Sequence, residues 1–195
     1  MLIENLDLNK YKLTEVSVEP KRAVMLSYLI VFIGIVLYTA VYLLRYDYAN
    51  IFFTMFKPTF LLEFFILMLF AFLFMAAGLI VKGAVLASSC GNKWQSLKFK
   101  IVRRLEKPYC SAVEPVSVSN YIKSILAYIL IASIVPYIIA FFVGDFMFII
   151  ASYITLILVS GDILLLFKLL KTDGSDYILD IDCVIYYKIY SAHKH

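Results

Sequence analysis

The run from Phe146 to Phe167 carries a single charged residue, Asp162. At about 1.5 Å of rise per residue, an apolar helix of that length crosses a bilayer core roughly 30 Å thick. Three other runs share this character: Ala23 to Leu44, Phe64 to Val81 and Ser124 to Gly144. Glu63 and Lys82 bound the second run, but its helix is expected to extend past both. Spans are therefore expected at about 23–44, 60–88, 122–144 and 146–168. Hydrophobic residues make up 63% of the chain and mean hydropathy is +0.90, against about 45–50% apolar residues in soluble proteins. The alternation of a membrane β-barrel is absent. The expected fold is an all-α membrane protein, one multi-pass domain over 1–195, with four transmembrane helices. A small cytoplasmic β element is expected in the loop between helices 2 and 3.

Basic residues orient the spans. The N-terminal segment, the stretch from Lys82 to Lys123 and the tail from Lys168 together hold sixteen Lys and Arg, whereas the first connection holds Arg45 and Lys57 and the third holds none. The positive-inside rule places both termini (1–22 and 169–195) and the 89–121 loop in the cytoplasm. The cell membrane is the expected location, with the first span acting as its own insertion signal. Tyr38, Tyr42, Tyr46 and Tyr48 then fall at the outer interface, where amphipathic rings are favoured, or serve as packing residues. The net charge of +4 does not point to nucleic acid, because the basic residues flank spans where anionic headgroups explain them.

Gly144-Asp145 is short enough to make the last two spans a tight antiparallel hairpin. In Leu97-Lys98-Phe99-Lys100-Ile101 apolar and basic residues alternate, as in a short strand. Lys107-Pro108-Tyr109 breaks that pattern, and Glu114-Pro115 leads into the third span. The alternative is a solvated basic loop that binds headgroups. Three cysteines (Cys90, Cys110, Cys183) without a CxxC pair give no disulfide framework or zinc finger.

Several chemistries lack their residues. The histidines are His193 and His195, in the tail, so neither HExxH nor a Ser/His/Asp triad can be assembled in the membrane. Asp162 alone cannot hold zinc. Phosphate-binding glycine motifs are also absent.

The segment from about residue 60 to 190 resembles the DUF3267 family of zincin-like peptidases, membrane proteins similar in layout to the site-2-protease class. The matching pieces are the helix running into Gly78-Leu79-Ile80-Val81-Lys82-Gly83, the strand-like Lys98 to Arg103, Lys107-Pro108-Tyr109-Cys110, Glu114-Pro115-Val116-Ser117 with Tyr121, Ser160-Gly161-Asp162, and Asp180 with Val184-Ile185-Tyr186-Tyr187. The family's first metal motif is His-Glu-x-x-His-Gly. Gly78, Leu79, Lys82 and Gly83 stand in its place here, so both histidine ligands and the glutamate base are lost while Asp162 remains. The resemblance implies a peptidase-like scaffold without the zinc engine; no catalytic residue, metal or cofactor is expected.

A carboxylate inside a span costs about 2.5–3.5 kcal/mol or more and usually faces a partner. By helical rise, Lys82 and Asp162 lie at similar depths near the cytoplasmic side, so an intramembrane ion pair can form, with the ammonium replacing the metal charge. The alternative is that Lys82 snorkels to the headgroups while Asp162 is protonated or bonds to backbone. Ala76, Ala77, Gly78, Gly83, Ala84 and Ala87 give the second span a small-residue face, either for close helix packing or as a cleft for a peptide or lipid. Pro136 is expected to kink the third helix. Glu63 suits a helix N-terminus, and Trp94 suits an interfacial anchor. Cys110 is either a modifiable thiol or an inert buried one.

The functional expectation is a catalytically inactive relative of an intramembrane zinc metallopeptidase that binds membrane lipids or a membrane-protein partner through the vestigial cleft. The alternative is a small oligomeric transporter or channel component using Asp162, with Lys82, for proton or cation coupling.

Overall fold

The computed structural model describes residues 11–17, 20–46, 58–102, 107–180 and 186–192. Tyr48, Lys57, Arg103, Arg104, Cys183, Val184, Ile185, His193 and His195 lie outside the described residues.

Among the described residues, four helices are long and apolar enough to cross a membrane. They are α1 (Pro20–Leu43), α2 (Phe60–Ser89), α3 (Val118–Val143) and α4 (Phe146–Leu169). The third begins four residues earlier than the expected span of 122–144, because Ser117 accepts a bond from the Asn120 amide and starts the helix ahead of the apolar stretch. Large apolar side chains point outward from α1 and α2, among them Phe32, Leu37, Phe65, Leu69, Phe72 and Ile80. Such a surface belongs against lipid tails rather than water, which makes the chain a multi-pass membrane protein.

The helix ends explain the connections. Gly144 has φ of 78°, the left-handed conformation that closes α3, and its amide bonds the Ala140 carbonyl. Asp145 follows immediately and accepts from the Met147 amide at 3.0 Å, capping α4. A C-cap glycine and an N-cap aspartate side by side make the two-residue hairpin. Pro136 has no N–H for the Ala132 carbonyl, and the preceding turn, Leu130–Ile134, widens to a π turn.

Helix α4 packs against the other three, and α1 packs on α4. Phenolic hydroxyls fasten α1 to the α3–α4 hairpin: Tyr42 donates to the Gly144 carbonyl at 2.8 Å and Tyr46 to Phe141 at 3.0 Å. These carbonyls have no acceptor role inside α3, so the tyrosines satisfy its open end. Tyr137 donates to the Tyr38 carbonyl and stacks on the Tyr38 ring, and Thr39 pairs with Tyr153 at 2.6 Å. Tyr42 is fully buried, so the Tyr38, Tyr42 and Tyr46 group acts in packing rather than as a free aromatic belt.

Among the described residues, two sheets lie at the opposite end of the bundle from this hairpin. The expected β element is the hairpin β2 (Leu97–Val102) and β3 (Lys107–Ala112), paired from Leu97↔Ala112 to Val102↔Lys107. A second, four-stranded sheet was not expected. Its order is β1-β6-β5-β4, from β1 (Tyr11–Ser17), β6 (Tyr186–Ala192), β5 (Tyr177–Asp180) and β4 (Val116–Ser117). It joins the N-terminal segment, the middle loop and the tail, which places all three at one end of the bundle. The largest buried cluster sits there, joining Leu86, Tyr109, Val116, Tyr121, Ile125, Tyr128, Leu165 and Ile178.

Candidate functional site

Lys82 and Asp162 meet. The Lys82 Nζ lies 2.7 Å from Asp162 Oδ1, and the two side chains are 0% and 1% exposed. Burial this complete removes the snorkelling alternative, because the ammonium does not reach the surface. Three tyrosine rings surround the ammonium: Tyr109 of β3 at 4.2 Å from its centroid, Tyr128 of α3 at 5.5 Å and Tyr121 at 5.9 Å. The hydroxyls of Tyr109 and Tyr121 are 2.6 Å apart and tie the hairpin β2–β3 to α3.

Local geometry explains the cage. Tyr121 and Tyr128 are seven residues apart, two helical turns, so both project from one face of α3. Gly78 lies one turn before Lys82 on α2. A Cβ at Gly78 would stand 2.9 Å from both the Tyr128 ring and the Ala132 Cβ. The missing side chain is what lets Tyr128 approach α2 and reach the ammonium. Leu79 is buried in the same core. Of the four positions singled out in sequence, Lys82 and Asp162 form the pair, Gly78 closes against the Tyr128 ring of the cage, and Leu79 belongs to the surrounding buried cluster.

The surroundings of Asp162 do not fit a zinc ion. Its carboxylate is engaged at 2.7 Å by an ammonium, and that ammonium in turn faces tyrosine rings. Among the described residues no three His, Cys, Asp or Glu side chains come together as metal ligands. What this arrangement does chemically is hold a positive charge in a low-dielectric interior, balanced by one carboxylate and by ring faces whose quadrupoles attract cations.

Sequence reading assigned no role toward Lys82 to Tyr109, Tyr121 or Tyr128. The available signal was the two-turn spacing of Tyr121 and Tyr128, combined with a buried cation in need of partners. Glu114, expected only to lead into the third span and to match the family pattern, is a clamp. Its carboxylate accepts from Ser96 Oγ at 2.6 Å, Asn92 Nδ2 at 3.1 Å and the Gly91 amide at 3.0 Å, clamping the turn after α2 to the segment before β4. The Ser96 bond, helped by the Gly91 and Asn92 donors, outweighs burial and holds this carboxyl below the usual carboxylate range. Burial, reinforced by the Glu114 charge, pushes the neighbouring Cys90 thiol up, so it is a poor nucleophile. Cys110 is fully buried. A separate apolar crevice, lined by Phe70, Ala71, Phe74, Pro136, Ile139, Phe148 and Ala151, lies about two to three turns away from Lys82 along α2.

Fold and site define a four-span helical membrane protein with a caged intramembrane ion pair. No family model, curated protein or solved structure matches the chain.

Proposed function

We propose that this chain is a non-catalytic membrane protein on a peptidase-like layout, in which the Lys82 ammonium stands where a metal charge would face Asp162. The chain binds a lipid or membrane-protein partner without cutting it. One observation carries this reading: a 2.7 Å ion pair, wholly buried and ringed by tyrosines, fills the centre where a hydrolytic site needs an open coordination position and a water. Because Gly78 is closed against Tyr128 and Ala132, a partner that uses the old cleft must part α2 from α3. The plasma membrane, with both termini cytoplasmic, is the proposed setting, on the strength of the basic-residue asymmetry.

The test is purified chain in lipid discs, assayed for bound zinc and for cleavage of a transmembrane test peptide with and without chelator. The expected result is substoichiometric metal and no cleavage. Chelator-sensitive cleavage overturns the proposal. The depth of the charge pair supports a second reading, proton or cation coupling. Proton-linked flux in vesicles that disappears in Asp162→Asn would favour it over the scaffold.

A further inference from the structure

Helix α2 is longer than a bilayer needs. Its 30 residues span about 45 Å, against a hydrocarbon core of roughly 30 Å. The chain that leaves it does not continue outward. A 3-10 turn (Lys93–Ser96) and strand β2 fold back, so that Trp94, Leu97 and Phe99 rest on Gly83. A Cβ at Gly83 would stand 3.2 Å from the Trp94 ring and 3.3 Å from both Leu97 and Phe99. Gly83 precedes Ser89 by six residues, about 9 Å back along the helix. The two rings therefore sit beside the last turns of α2 rather than beyond its end.

They also face outward. Trp94 is 51% exposed and Phe99 is 56% exposed. Ile80, three residues before Gly83 on the same side of α2, is exposed as well, and so is Leu73 two turns further down. The two rings thus continue the lipid-facing stripe of the helix toward the interface. Lys93 and Lys98 are exposed next to them, and strand alternation places Lys98 on the face opposite Phe99. An apolar edge continuous with lipid-facing surface, beneath basic side chains, is the chemistry of a bilayer interface carrying negative headgroups.

We infer that the β2–β3 hairpin and the turn before it form a membrane-interface wing: Trp94 and Phe99 dip to the boundary between acyl chains and headgroups, while Lys93 and Lys98 meet the phosphates of anionic lipid. The wing would fix how deep α2 sits, and with it the level of the Lys82 centre one residue from Gly83.

The chain carries its own probe, because Trp94 is the one tryptophan in the sequence. The full chain is placed in lipid discs of phosphatidylcholine with or without phosphatidylglycerol, at one chain per disc. Fluorescence is excited at the red edge, where the 15 tyrosines do not absorb. The expected result is strong quenching by lipids brominated near the headgroup end of the chain, weaker quenching by lipids brominated at the chain terminus, and little quenching by aqueous acrylamide. Phosphatidylglycerol should shift emission to shorter wavelength, and the double variant K93E/K98E should lose most of that shift. The wing is overturned if acrylamide quenches Trp94 as fully as a free indole while neither brominated lipid does. It is also overturned if shielding arises only at two chains per disc, which would assign the surface to a second copy. A wavelength indifferent to phosphatidylglycerol and to the charge reversal would overturn the headgroup contact.

Discussion

Breaking the buried pair should cost far more than replacing it. With Lys82 Nζ 2.7 Å from Asp162 Oδ1, the attraction is about 6 kcal/mol at an effective dielectric constant of about 20. The Tyr109 ring at 4.2 Å adds up to about 2 kcal/mol for a desolvated cation. Against this stands the desolvation of two charges, which in protein interiors offsets most of the gain. Lys82→Met removes the cation and leaves a buried carboxylate, and Asp162→Leu leaves a buried ammonium; each should lose about 3–5 kcal/mol. For a chain of 195 residues that corresponds to a midpoint lower by roughly 6–20 °C. The double variant K82M/D162L restores neutrality with similar volumes, and its thioether can rest on the tyrosine rings. It should return to within about 1–2 kcal/mol of the parent or exceed it. The assay is reversible unfolding in mixed micelles, followed by circular dichroism, on all four members of the cycle. If the double variant loses the sum of the single losses to within about 0.5 kcal/mol, the two residues are uncoupled and the argument fails.

Three further outcomes can be checked. Gly78→Val pushes a branched side chain into Tyr128 and Ala132, 2.9 Å from the new Cβ, and should destabilise by roughly 1–3 kcal/mol in the same unfolding assay. Tyr42→Phe leaves the Gly144 carbonyl without its 2.8 Å partner and should cost about 1–2 kcal/mol, whereas Leu37→Ala on the lipid-facing side of α1 should cost much less than a typical core truncation. The Glu114 carboxyl is lowered by its Ser96, Gly91 and Asn92 donors. Its contribution is present above the unfolded carboxylate range and is lost as pH falls through the lower folded value, so the advantage of the parent over Glu114→Gln should shrink below about pH 4. A parent-minus-variant difference unchanged between neutral pH and that acid range would contradict it.

The four spans were legible because each is a local pattern: a long apolar run with charges at its ends. The meeting of Lys82 and Asp162 was legible too, since the rise of a helix fixes depth, and two charges at one depth in oil seek each other. The tyrosine cage was not. Tyr109 comes from a strand and Tyr121 and Tyr128 from a helix, and nothing in a single sequence says that a loop folds back onto a span. The four-stranded sheet was hidden for a related reason. Its strands β1 and β6 are separated by all four helices, and β4 has two residues, too few for any periodicity. The tyrosines near the Gly144 turn looked like interfacial rings because composition cannot distinguish a ring facing lipid from one bonded to a helix's last carbonyls.

The pairing of β1 with β6, from Tyr11↔Ala192 to Ser17↔Tyr186, sets an order of events in biosynthesis. The first strand is made before any helix enters the bilayer, yet its partner is translated only after the last one. Until then β1 must wait with its backbone unpaired, exposed to chaperones and proteases. A ribosome that stalls within α4 would release a product that is inserted but unsealed, and quality control could recognise it by that open edge alone.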